Sequence, residues 1–201
     1  MPTESIVYFS GGGHTAVFAE AVADGARDVA GITVNLQRIE GKDIVEGRYT
    51  NRALMDTLTA SDAIIFGSPT YMAGPSGQFK TFADATGGIW FQQLWKDKLA
   101  AGFTVSAGAS GDKLNTLEYF ILLSQQHGMI WVGTGVLPYA TGQINRYSFS
   151  SGAAGQSNQE PVTEKPDAED KATGAHLVNA WPRRRCAGPN NSSTVHFSFS
   201  L

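Results

Sequence analysis

The sequence predicts an α/β protein: a three-layer sandwich in which a five-stranded parallel sheet of order 2-1-3-4-5 carries helices on both faces. Three observations predict it. Short β-branched and aromatic runs alternate with helix-length amphipathic stretches, as in strands joined by crossover helices. Loops of small residues follow the first, third and fourth of those runs, where a doubly wound sheet gathers its ligand-binding turns. The chain has 201 residues, 42% hydrophobic and 16% charged, enough to bury one substantial core without staples.

Strands are expected over residues 5–9, 33–38, 63–67, 99–105 and 129–132. Helices fit between them at 15–29, 52–59, 77–86 and 114–126. In the first helix Val17, Phe18, Ala21, Val22 and Gly25 make one small apolar face, and Gly128 closes the fourth as a left-handed terminator. A further helix over 167–180 completes the layer after the fifth strand. Residues 135–160, rich in Gly, Ser, Asn and Gln, read as a long loop of the functional or interfacial kind. The expected domain is 1–181, and residues 182–201, which show no period, read as a poorly ordered tail.

Composition removes several classes. No apolar run approaches the roughly 20 residues that span a bilayer, so no membrane partner is expected. The start of the chain has neither the charged lead nor the apolar region of a secretory signal, which places the protein in the cytoplasm. The single cysteine, Cys186, cannot pair within the chain or build a cysteine zinc site, and no metal is expected. A net charge of -3 offers no footprint for nucleic acid, whose affinity comes from Lys and Arg on phosphates. Arg183-Arg184-Arg185 reads as a solvated run. The patterns HExxH, GxSxG and GxxxxGK[ST] are all missing, so metalloprotease, α/β-hydrolase and nucleotide triphosphatase readings lose their usual support.

The chemistry sits in the loops. The first strand ends in Ser10-Gly11-Gly12-Gly13-His14-Thr15 and runs straight into a helix. Unpaired N–H groups and the positive end of the helix dipole converge there on an anion, and two hydroxyls suit a terminal monophosphate. The same residues satisfy the dinucleotide fingerprint as Gly11-x-Gly13-x-x-Ala16, with Glu40 after the second strand as a ribose ligand. They also fit a plain tight turn with His14 as the helix cap. The third strand ends in Gly67-Ser68-Pro69-Thr70-Tyr71-Met72-Ala73-Gly74, where Pro69 is expected to stop the ladder and Tyr71 to face a flat ring. The fourth ends in Ser106-Ala107-Gly108-Ala109-Ser110-Gly111-Asp112, small residues that let backbone groups reach a ligand. A nicotinamide Rossmann domain does not need the second and third loops in this form, which favours FMN over a dinucleotide.

With these residues in view, the chain resembles the WrbA-type branch of the flavodoxin-like NAD(P)H:quinone oxidoreductases. The likeness covers about residues 4–135. It rests on the Ser10-to-Thr15 loop, on Gly67-Ser68-Pro69-Thr70 through Ser76-Gly77-Gln78-Phe79-Lys80, on Thr86-Gly87-Gly88-Ile89-Trp90, and on His127-Gly128-Met129. The resemblance implies a flavodoxin-like fold with non-covalent FMN. The first loop would hold its phosphate, the Pro69-to-Gly74 and Ser106-to-Asp112 segments would flank the ring, and His127 would close over it. It also implies that Trp90 stands beside the catalytic face of a neighbouring subunit in a homodimer or homotetramer. Gly12 stands where the family commonly has an aromatic residue and Tyr71-Met72-Ala73 where it has Arg-Phe-Gly, so the resemblance does not choose between NADH and NADPH. The expected reaction is ping-pong: reduced nicotinamide delivers a hydride and leaves, and a quinone then accepts two electrons. A flavodoxin-type electron carrier, or a flavin-binding protein with little turnover, stands as the alternative.

Overall fold

In the computed structural model, which describes residues 1–138, 142 and 144–179, the β-branched runs pair side by side in parallel. Strands β1 (Thr3–Tyr8), β2 (Thr33–Arg38), β5 (Ala63–Tyr71), β7 (Leu99–Ser106) and β8 (Ile130–Trp131) form one sheet in the order β2-β1-β5-β7-β8, which is the expected 2-1-3-4-5. Between β2 and β5 lies a small hairpin of β3 (Ile44–Val45) and β4 (Arg48–Tyr49) that the sequence reading did not foresee.

Helices cover both faces, so β1 and β5 are buried along nearly their whole length instead of alternating. On one face Val7, Ile64 and Phe66 pack with Leu58 of α2 (Arg52–Ala60), Phe79 and Phe82 of α3 (Gly77–Ala85) and Phe120 of α5 (Lys113–Gln126). On the other face Ile6, Ile65 and Phe103 meet Phe18 and Val22 of α1 (His14–Arg27) and Leu177 of α6 (Ala168–Asn179). Caps set two of these helices: Asn51 accepts from the Leu54 N–H at 3.0 Å and Ser76 from the Phe79 N–H at 3.2 Å. A short α4 (Gly87–Phe91) follows α3 directly. No helix among the described residues is long and apolar enough to cross a membrane.

The expected apolar stripe of α1 is broader in the structure. Val17 and Ala21 are only half-buried, while Ala19, Ala23 and Ala26 are buried as well. The cause is α6, which packs along α1 as a second neighbour. Gly25 permits it, since a Cβ there would lie 2.1 Å from the carbonyl oxygen of Ala175.

Three further expectations need correcting. The third strand does not stop at Gly67 or Pro69. Pro69 lies opposite Val105 in the β5–β7 pairing, and the strand runs on to Tyr71 before turning back as β6 (Gly74–Pro75). The fifth strand is split: β8 pairs with Leu99 and Ala100, and β9 (Ala153–Gln156) takes up the same edge of β7 at Phe103 to Ser106. Half of that strand therefore sits inside what reads as a loop over 135–160. Ala153-Ala154-Gly155 shows no strand pattern because packing, not propensity, selects it. A Cβ on Gly155 would meet the Phe18 ring at 2.9 Å, and one on neighbouring Gly152 would meet the Gly102 carbonyl oxygen at 2.5 Å. The readings of Cys186, of the three arginines and of the 182–201 tail lie outside the described residues.

Candidate active site

Because β1, β5, β7 and β9 are parallel, their carboxyl ends open on one side of the sheet. A crevice of about 300 Å³ lies there, lined by Gly12, His14 and Thr15 from the first loop, Pro69, Thr70 and Tyr71 from the second, and Val105, Ser106 and Ala107 from the third. Ser157 and Asn158, just after β9, complete it. The volume is at the small end of the range for ligand pockets. Three of the sequence-predicted segments thus meet at one place.

The first loop is set by Gly13, which caps α1 at φ 95°, a conformation that favours glycine. Ser10 Oγ accepts from the N–H groups of Gly13 at 3.2 Å and Ala16 at 3.1 Å. The N–H groups of Gly11, Gly12, His14 and Thr15 donate no hydrogen bond among the described residues. These are the donors a helix start leaves over, on the positive side of its dipole. His14 is not the cap: it is the first helical residue, and its ring Nε2 lies 2.8 Å from the Glu160 carbonyl. Glu40 sits 3.6 Å from the Arg38 guanidinium, which in turn donates to the Ser10 carbonyl at 3.0 Å.

In the second loop the Thr70 hydroxyl faces inward, 2.8 Å from both Thr104 and Thr116 hydroxyls, and ties β5, β7 and α5 together. Met72 and Ala73 make the turn at φ 45° and 65°, and Met72 is fully exposed. Tyr71 lines the crevice, and its hydroxyl leans on the first loop, where a Cβ on Gly11 would lie 2.6 Å from it.

The third loop bends through Gly111 and Asp112 at φ 51° and 50°. Beneath it lies Lys113, the first residue of α5 and wholly buried. Its ammonium donates to the carbonyls of Gly108 and Ala109, the latter at 3.1 Å, and stands 5.4 Å from the centre of the Tyr147 ring. Burial lowers its pKa to about 8 against the raising pull of Asp170. Asp170 is itself pushed up to about 6 by burial, in spite of the Gln156 N–H that it accepts. Of the third loop Ser106 and Ala107 line the crevice.

Sequence reasoning missed Lys113, because a lysine at a helix start carries no mark of burial. It also missed the stretch after β9. There Val162 lies against Gly13, where an added Cβ would approach to 2.9 Å, so residues 157–162 press on the first loop.

His127 and Trp90 are not brought to this crevice within the chain. Together with Lys80, Thr86 and Tyr119 they line a second cavity of about 250 Å³ at the far end of α5, a helix of 14 residues and therefore about 20 Å long. His127 Nε2 is 2.9 Å from the Thr86 hydroxyl and its ring centre is 4.5 Å from that of Trp95. Burial lowers its pKa to about 4, so the ring is neutral at pH 7.

The fold and this crevice define a flavodoxin-like α/β protein. The chain belongs to the NADPH-dependent FMN reductase family, whose sequence profile matches residues 6–143. Among its relatives, the flavodoxin FldP of Pseudomonas aeruginosa is 42% identical over 76% of this chain and 79% of its own length. An NAD(P)H dehydrogenase (quinone) of Geotalea uraniireducens is 34% identical over 89% of this chain and 97% of its own. The solved structure of a flavodoxin, WrbA-like protein from Agrobacterium tumefaciens superposes with a TM-score of 0.67 at 39% identity, covering 91% of this chain and 99% of that one. The WrbA-type likeness read from the loops thus extends over nearly the whole chain.

Proposed function

We propose that this protein is an FMN-dependent oxidoreductase that passes electrons from NAD(P)H to a quinone or similar small acceptor, with FMN held non-covalently in the crevice. The observation that carries the reading is the convergence of three loops on one crevice whose first wall offers unused N–H donors. The donor set fits a flavin phosphate. Backbone N–H groups of Gly11, Gly12, His14 and Thr15, with the Thr15 hydroxyl, stand at the start of α1, and among the described residues no carboxylate lines the crevice to repel an anion.

The remaining roles follow the same geometry. Pro69 to Gly74 supports one side of the ring and Ser106 to Asp112 the other. FMN, when bound, supplies the hydride and electron chemistry. The chain's part is to hold it, to fix which edge meets N–H donors, and to keep water from the reacting face. Trp90, in α4, and His127, just after α5, line the second cavity and not the crevice of their own chain. The family likeness implies that Trp90 stands beside the crevice of a neighbouring subunit in a homodimer or homotetramer and that His127 closes over the cofactor. The likeness to FldP favours a second reading, an electron carrier, but a net charge of -3 steers basic redox partners only weakly. A cytoplasmic location completes the proposal.

The test is an absorption titration of the purified protein with FMN, then steady-state turnover with NAD(P)H and a benzoquinone. The expected result is uptake of FMN and parallel double-reciprocal lines. Uptake without NAD(P)H oxidation would turn the reading to the carrier; no uptake would end both.

A further inference from the structure

Lys113 breaks two local preferences together. A lysine is rarely fully buried, a cation is disfavoured at the N-terminus of a helix, and its lowered pKa marks the cost of keeping it there. Where a sequence departs from local preference without a packing reason, a functional site is the place to look.

What Lys113 touches explains its presence. Its ammonium takes the carbonyls of Gly108 and Ala109, and the side-chain amide of Gln156 takes the carbonyl next in line, Ala107, at 2.9 Å. Three consecutive carbonyls are thus held by side chains beneath the loop. A trans peptide is planar with its N–H opposite its C=O, so the N–H groups of Gly108, Ala109 and Ser110 are turned the other way. None of the three donates a hydrogen bond among the described residues. Successive N–H groups aimed together form an anion-favouring nest.

The support is itself supported. Gln156 accepts from the Tyr147 hydroxyl at 3.0 Å, and Tyr147 accepts from Arg146 at 2.8 Å. Arg146 pairs with Asp167 at 2.7 Å and Asp170 at 2.9 Å on α6. Arg146 and Tyr147 belong to the insertion that splits the fifth strand, and Gln156 ends its second half. The insertion therefore reaches the third loop through a chain of hydrogen bonds and the Tyr147 ring.

We propose that Lys113 is a positioning residue. Braced by Gln156 and Tyr147, it holds the third loop so that the Gly108, Ala109 and Ser110 N–H groups face the electron-rich edge of the bound flavin, and its charge favours the reduced cofactor. This rests on the FMN reading given above. Reduction adds negative charge at the site, and a cation out of water acts on it with little screening.

The experiment compares wild type, Lys113→Met and Lys113→Gln by fluorescence titration of FMN and by the two-electron midpoint potential of the loaded protein. Lys113→Met should weaken FMN binding on the order of tenfold, the loss of charge-assisted hydrogen bonds that order the loop, and shift the potential to more negative values. Lys113→Gln keeps a donor without the charge, so it should recover most of the affinity while its potential stays negative of wild type. A Lys113→Met protein with wild-type affinity and potential would overturn the proposal, as would a Lys113→Gln protein whose potential matches wild type, should Lys113→Met fail to fold. Failure of the wild type to bind FMN would instead overturn the function itself.

Discussion

Replacing Lys113 by methionine should make the protein without FMN more stable, while weakening its hold on the cofactor. Burial brings the Lys113 pKa down from 10.5 to about 8. At about 1.36 kcal/mol per pH unit this is on the order of 3 kcal/mol against the charged form at neutral pH. Methionine fills a similar volume without charge. Losing the hydrogen bonds to two carbonyls on an exposed loop returns about 1 kcal/mol. The net gain at pH 7 is about 2 kcal/mol, or roughly 4–8 °C in the thermal midpoint for a chain of this size. The sign with pH is fixed by linkage. Between pH 8 and 10.5 the unfolded chain binds the proton that the folded one has lost, so wild-type stability rises there. The variant lacks that rise, and its advantage should shrink by about 2 kcal/mol between pH 7 and 9.5. Tyr147 and Asp170, which face the same ammonium, remain in both proteins, so the difference isolates Lys113. Urea denaturation of the apoproteins at the two pH values is the assay. A variant less stable than wild type at pH 7, or a gap that does not change with pH, would refute the reasoning.

The same logic with a different residue acts in acid. His127, held at a pKa of about 4 by burial, lets the unfolded chain bind more protons between pH 6.5 and 4, so stability falls on acidification. His127→Phe should lose about 2–3 kcal/mol less than wild type between pH 7 and 4.5, read from denaturant midpoints. Gly25→Ala should lower stability by about 2 kcal/mol in spite of better helix propensity, because its Cβ would overlap the α6 backbone; thermal unfolding checks it. Ala73→Gly should raise stability by about 1 kcal/mol by relieving a φ of 65° in the β5–β6 turn, measured the same way.

Most of the sheet was legible because its central strands carry dense apolar runs such as Ile64-Ile65-Phe66 and the edge strand alternates Val34 and Leu36 with polar residues; residues 33–38 appear as read. The split fifth strand was not, since Ala153 and Gly155 are chosen by what they fit beneath, namely Phe103 and Phe18. The first loop was legible in chemistry but not in detail. Its glycines announce an anion site, while the cap proved to be Gly13 and His14 turned to the Glu160 carbonyl. Lys113 was illegible for a plain reason: sequence shows a charge, and only the fold shows that α5 begins beneath its own preceding loop. His127 and Trp90 were read together, and they do share a cavity, though one about a helix length from the crevice.

The break in the fifth strand has a consequence for local opening. Two short pieces close the free edge of β7, and 21 residues separate them, so neither drags the other when it lifts. The piece beside the crevice, Ala153–Gln156, can detach and return while Ile130–Trp131 keeps the opposite end sealed. Backbone hydrogen exchange should therefore find two separate rates along a single edge, the faster one at the ligand-facing end.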